Sequence, residues 1–239
     1  MLLFAGFTAL GVWQLQRLAW KLDLIARVDA RVQAAPVSPP GPQAWPGVTA
    51  KGDEYRHVRV SGTYDNARET LVQALTEAGP GFWVMTPLRS DAGDTLLINR
   101  GFVPQERSAQ ASRGAGLISA RTTVTGLLRM SEPHGGFMRA NQPTAQRWYS
   151  RDVAEIAKAR GLAPAAPYFI DADATPNAGG WPRGGLTVIR FPNSHLVYAL
   201  TWFGLAGMVV VWGVWPVVQA RSRARNSGAA RAPTHGPQS

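Results

Sequence analysis

The sequence predicts a membrane protein in which two transmembrane helices flank an extracytoplasmic, antiparallel β-rich (α+β) domain with one amphipathic helix. Three observations predict it. Leu196 to Val218 is apolar and free of charge over the roughly 20 residues that a bilayer core requires. Leu2 to Leu15 is a second, shorter apolar stretch at the other end of the chain. Between them the sequence is polar, and short alternating runs are separated by turn residues, as half-buried strands should be. The mean hydropathy of -0.11 averages these unlike parts.

The elements follow in order. Residues 1–18 read as the first transmembrane helix, broken near its end by Gln14, Gln16 and Arg17. It is short for a span and admits a few residues upstream of Met1. Its start lacks the basic region of a signal peptide, and no small-residue cleavage site follows. Residues 19–46 read as a juxtamembrane helix, with Leu22, Leu24, Ile25 and Val28 among charged neighbours, followed by a Pro-rich linker from Ala35 to Pro46. Residues 47–193 form the β-rich domain. Its expected strands are Val58 to Tyr64, Thr70 to Leu75, Phe82 to Leu88, Thr95 to Asn99, Thr122 to Arg129, Tyr168 to Asp171 and Leu186 to Phe191. Ala78 to Gly81, Ser90 to Gly93 and Asn177 to Gly180 supply turns. One helix is predicted from a cap at Asp152 with Glu155 three residues on, the apolar residues Val153, Ile156 and Ala157, and a stop at Gly161; Ser150 is the competing cap. Residues 194–218 are the second span, and residues 219–239 a basic tail expected to be disordered.

Arg221, Arg223, Arg225 and Arg231 in that tail place it in the cytoplasm, because basic flanks mark that side. Two spans then put both termini inside and the domain in the periplasm of a bacterial inner membrane. Arg17, Lys21, Arg27 and Arg31 after the first span pull the other way, but long domains translocate largely regardless of charge.

Composition excludes several classes of function. There is no cysteine, hence no disulfide, thiolate metal site or Cys-x-x-x-Cys copper site. The formal net charge is +10, but the arginines are scattered outside the tail and no nucleic-acid module is visible. No phosphate loop or nucleophile elbow is present. The four histidines, His57, His134, His195 and His235, show no metal-ligand spacing. Asp171 and Asp173 alternate on one strand without a basic partner that sequence can name. A non-enzymatic role is expected.

Two short stretches carry candidate chemistry. In Asn99-Arg100-Gly101, Arg100 presents a guanidinium to a carboxylate or phosphate, or else pairs inside the domain beside a structural glycine turn. In Phe191-Pro192-Asn193-Ser194-His195, an imidazole stands at the mouth of the second span. Helical spacing lines it up with Tyr198, Ala199 and Trp202. Such a histidine can ligate a metal, with the aromatic residues bracketing a flat macrocycle. The alternative is an interfacial histidine in an aromatic belt, which Trp212 and Trp215 at the other end fit as well. Gly204 and Gly207, with Ala5 and Ala9 on the first helix, suggest close pairing of the two spans with each other or with a partner.

These residues together resemble the surfeit locus protein 1 family of cytochrome c oxidase assembly factors. The resemblance runs from Leu10-Gly11-Val12-Trp13-Gln14-Leu15-Gln16-Arg17 and Lys21, through Tyr55, Val58, Val60, Gly62, Gly81 to Leu88, Asn99-Arg100-Gly101 and Asn141 to Trp148. It ends on Pro192-Asn193-Ser194-His195-Leu196, Tyr198-Ala199 and Thr201-Trp202-Phe203. It implies an assembly factor that binds or delivers haem a for insertion into oxidase subunit one, with the haem a synthesis enzymes as further partners. His195 would be the iron ligand, Tyr198 and Trp202 would line the site, and Arg100 would meet haem propionates or the domain's own core. Phe102 stands where the family often has tryptophan, and Ser194 where it usually has a second asparagine. The alternative is a haem-independent membrane scaffold for an oxidase assembly intermediate.

Overall fold

A computed structural model describes residues 1–136, 138–162, 164–189 and 191–229. The chain divides into two compact units, residues 27–189 and the two helical ends.

The larger unit is built on six strands: β1 (His57–Tyr64), β2 (Thr70–Thr76), β3 (Gly79–Ser90), β4 (Thr95–Pro104), β5 (Thr122–Met130) and β6 (Ala165–Ala172). Their order is β1-β5-β6-β4-β3-β2, and β1 also pairs with β3. The sheet therefore closes on itself through five strands, with β2 attached alongside β3. Closure works because β3 is long: Gly79 to Met85 pairs with β2, and Leu88 to Ser90 with β1. The pairing is antiparallel except between β4 and β6, which run parallel. This corrects the purely antiparallel expectation.

Alternation sorts the side chains, since successive residues of a strand point to opposite faces. Val58, Val60, Leu88, Leu96, Ile98, Val124, Leu128, Tyr168 and Ile170 fill the enclosed core. Residues of the other parity, including Val72, Met85, Leu97 and Phe169, pack with Trp148 and with Val153 and Ile156 of the helix α3 (Val153–Arg160). Fully burying a residue such as Ile98 or Leu128 contributes about 1.5–3 kcal/mol. Asp152 caps α3 by accepting the Glu155 amide at 3.1 Å, and Gly161 ends it in the left-handed conformation. Ser150 does not cap the helix; its hydroxyl accepts from Asn141 at 3.1 Å. The Pro-rich segment is extended only up to Gly41; Pro42 to Ala44 form a turn and Trp45–Gly47 a short 3-10 helix, which corrects the expectation of an extended linker to Pro46. Val37 bridges to Val58, and Pro40 O accepts from the Tyr168 hydroxyl at 2.5 Å. A one-turn helix, α2 (Ala50–Asp53), follows.

Two expectations fail here. The strand β4 does not end at Asn99; it continues to Pro104 through a β-bulge opposite Trp83–Met85. Gly101 lies in that bulge at φ +122°, where a Cβ would sit 1.9 Å from Arg183 O. A side chain there would block the Phe102–Arg183 bridge, so the Arg-Gly pair marks a bulge within a strand and not a turn after one. Leu186 to Ile189 forms no strand. β6 occupies the side of β4 opposite β3 from Thr95 to Asn99, and Arg183 bridges to Phe102 beyond it. The strand expected there extended to Phe191 across residue 190, which lies outside the described residues.

The smaller unit contains most of α1 (Leu2–Gln33) and the helix α4 (His195–Ala229). α1 is continuous, so the first span and the juxtamembrane helix expected at 1–18 and 19–46 share one helix. α4 likewise runs past Val218 into the residues read as a disordered tail, up to Ala229; Arg231 lies outside the described residues. Among the described residues, one helix is long and apolar enough to cross a membrane, His195–Arg223, with a mean hydropathy of 1.8 over its most apolar window.

Candidate functional site

α1 and α4 meet along facing stripes. Gln14 is only 8 % exposed, and its Oε1 lies 2.7 Å from His195 Nδ1. A carbonyl oxygen can only accept, so Nδ1 is the donor in this contact, and a neutral imidazole with that tautomer has its lone pair on Nε2. Two helical turns along, Phe7 stacks on Trp202 with ring centroids 5.8 Å apart. Between these contacts, a Cβ at Gly11 would lie 2.7 Å from the Phe203 ring. Phe7, Gly11 and Gln14 are spaced four and three residues apart, so they share one face of α1. The Phe203 ring fills the space that a side chain at position 11 would take. Gly204 and Gly207 have nothing within 4 Å of a built Cβ, and Ala5 and Ala9 are exposed. The small residues singled out for pairing are therefore not the ones the helices use.

The structure separates the residues grouped around His195. Ala199 is buried on the same face, and Trp202 is engaged by Phe7. Tyr198, 52 % exposed, lies at the edge of that face. Gln14, which interrupts the first apolar stretch and belongs to the family-like run from Leu10 to Arg17, is the group that touches His195. Its signal was available: an amide inside an apolar helix needs a partner.

Arg100 belongs to the larger unit and is 1 % exposed. Its Nη2 donates to Gly116 O at 2.5 Å and to Asn177 Oδ1 at 3.0 Å, and its guanidinium lies 4.5 Å from the Tyr64 ring centre. The domain's own groups hold it. Burial pulls its pKa below the usual arginine range, and burial pushes the Tyr64 hydroxyl up to about 12.

Asp171, 3 % exposed, does have basic partners. Its carboxylate accepts from Arg129 at 3.0 Å, Arg151 at 3.1 Å, Asn99 at 2.7 Å and Thr187 at 2.9 Å. These come from β5, the loop before α3, β4 and the segment leading to α4, so strand pairing was needed to find them. With four donors its lone pairs are filled, and the group reads as a structural hub. Among the described residues no cluster of three or more His, Asp or Glu side chains could hold a metal ion. A single imidazole on a macrocyclic iron needs no such cluster.

Known proteins share this chain's sequence over most of its length. The model of the SURF1 family matches residues 1–207, which include both Gln14 and His195. Surfeit locus protein 1 of Mus musculus is 37 % identical over 221 residues, covering 86 % of this chain and 70 % of the mouse protein. The Homo sapiens protein of the same name is 36 % identical over 214 residues, covering 82 % and 69 %. A SURF1-like protein of Monosiga brevicollis is 33 % identical over 238 residues, covering 94 % and 87 %. With a family match from the first residue into the last helix and relatives similar along nearly the whole chain, the chain belongs to the SURF1 family.

Proposed function

We propose that this chain is a cytochrome c oxidase assembly factor, the role that goes with membership of the SURF1 family, and that it binds haem a or delivers it for insertion into oxidase subunit one. The role is one of binding and transfer, with the haem a synthesis enzymes as donors. The observation that supports the haem part is the 2.7 Å contact between His195 Nδ1 and Gln14 Oε1. Metal-ligating histidines almost always donate their second N–H to a fixed acceptor, which sets the tautomer and makes the ligand more basic. His195 has that arrangement, with Nε2 available for iron. Haem would supply a porphyrin iron that takes an axial nitrogen. Gln14 would orient the ring, and Gly11 would let the helices approach closely enough for the contact to form. Tyr198 is accessible as a wall of the site, and Trp202 would contribute through its packing on Phe7. Arg100 would be held first by the domain's own acceptors, Gly116 O and Asn177 Oδ1.

The membrane setting belongs to the same reading. Only 11 % of the most apolar window of α4 is buried, so its side chains need an apolar surrounding, which a lipid bilayer provides. We read the apolar first half of α1 as the second span, both termini as cytoplasmic, and the β-rich domain as periplasmic in a bacterial inner membrane.

A second reading, a haem-independent scaffold that stabilises an oxidase assembly intermediate, is favoured by the Phe7–Trp202 stack and the exposure of Tyr198. These leave no aromatic pair converging on the imidazole. Co-expression with haem a synthesis enzymes separates the two. The purified wild type is expected to carry haem a absorption bands that His195→Ala loses. A wild type without haem a, or an unchanged spectrum in the variant, would favour the scaffold.

A further inference from the structure

The end of the strand barrel that Arg100 closes holds a positive charge with no ionised partner. Arg100 Nη2 is bonded to Gly116 O and Asn177 Oδ1, and Nη1 reaches Asn66 Oδ1 at 3.5 Å. All three acceptors are neutral. The Tyr64 ring beneath is neutral too, because a phenol with a pKa of about 12 stays protonated near pH 7. The acid that acts on Arg100 from nearby, Glu69, is held through both carboxylate oxygens by Arg113, and that pair is itself buried. Among the described residues, Arg100 Nε is one of three buried side-chain polar atoms without a hydrogen-bond partner. A buried cation that lacks a counter-charge costs several kcal/mol, so an anion brought to it binds with that cost relieved.

A cavity of about 140 Å³ opens beside this group, walled by Arg100, Tyr64, Thr122, Asp173, Thr175 and Asn177 among others. Its walls carry hydroxyl, amide and carboxylate groups, which suit a small polar ligand group. Thr122 precedes the core residue Val124 by two positions on β5, so its hydroxyl lies on the inner face at the barrel end. The Asp173 carboxylate accepts the Thr175 amide at 2.9 Å. Its negative charge on the same wall opposes a dianion such as phosphate and leaves a monoanion as the better fit.

We propose that this cavity is a binding site for a carboxylate, whose charge answers the nearby buried Arg100 guanidinium and whose oxygens accept from the Thr122 hydroxyl. The site lies within the β-rich domain and is independent of any role for His195. Its carboxylate is either a small free acid or the end of a larger molecule.

Ligand-observed NMR and thermal unfolding of the full chain in detergent micelles test the proposal at constant ionic strength. Acetate should bind saturably and raise the unfolding midpoint, while acetamide, its neutral counterpart, should do neither, and inorganic phosphate should bind more weakly than acetate. Thr122→Val keeps the strand and should weaken acetate binding about fivefold, the loss expected for one hydrogen bond. Arg100→Gln should abolish binding; if that variant does not fold, Thr122→Val decides. Butyrate binding more tightly than acetate identifies the end of a larger molecule, and weaker binding identifies a small free acid. The proposal is overturned if acetate and acetamide behave alike, if phosphate binds more tightly than acetate, or if Thr122→Val binds acetate as the wild type does.

Discussion

Replacing Gln14 with leucine isolates the contact on which the haem reading rests. Leucine keeps the helix and its apolar surroundings but removes the acceptor 2.7 Å from His195 Nδ1. Two effects then compete. Interhelical hydrogen bonds in membranes contribute about 0.6 kcal/mol on average and about 1.7 at most, so the pairing of α1 and α4 should survive, helped by Phe7–Trp202 and Gly11–Phe203. Loss of an outer-shell partner typically lowers metal affinity about 10- to 100-fold, which corresponds to roughly 1.4–2.7 kcal/mol. The iron site should therefore suffer more than the fold. Titration of the purified protein with haem a, followed by absorption, should show half-saturation at least about tenfold higher in Gln14→Leu than in wild type, with helix content unchanged by circular dichroism. Gln14→Glu retains an acceptor and should recover most of the affinity. Equal half-saturation in Gln14→Leu and wild type, alongside loss of binding in His195→Ala, would refute the positioning role.

Two further predictions concern the domain. Asp171→Asn removes the charge shared by Arg129 and Arg151; breaking a buried ion pair from one side costs about 3–5 kcal/mol, so the thermal midpoint should fall by roughly 6–20 °C, and a fall below about 2 °C would show that the hub carries little weight. The folded-state pKa of Tyr64 is raised to about 12 from 10.0, so its contribution to stability is complete below pH 10.0 and declines as pH climbs towards 12, by up to about 2.7 kcal/mol. Tyr64→Phe should therefore flatten the alkaline fall in denaturation midpoint, and identical slopes in the two proteins would count against this origin.

Local signals made much of the fold legible. β1, β2 and β5 announce themselves by alternation, and α3 by Asp152, its apolar triplet and Gly161, because each depends on neighbours a few residues away. What was missed depends on distant partners. Gly101 looked like a turn because glycine frees the backbone in either setting; only the arrival of Arg183 against it shows a bulge. Leu186 to Ile189 has strand-like composition, but β4 is flanked by β3 and β6, and the outer strand of the sheet is β2. His195 was legible as a polar residue at the mouth of an apolar helix. Gln14, 181 residues earlier, was read by the local damage it does to hydropathy and not by the partner that a buried amide requires. The partners of Asp171 were hidden for the same reason, since they come from other strands and loops.

The parallel pairing of β6 with β4 also sets an order in time. β6 is the last strand in the chain, yet it lies between β5 and β4. Until residues 165–172 have left the ribosome, β4 and β5 each lack a neighbour and the core residues of β1 to β5 face an open gap. The sheet cannot close progressively from its N-terminus; it waits for one late insertion between two strands already made. Contacts of such long sequence separation slow folding, and the unpaired edges are exposed to wrong partners in the meantime. A chain arrested just before β6 should therefore be the most aggregation-prone intermediate of its synthesis.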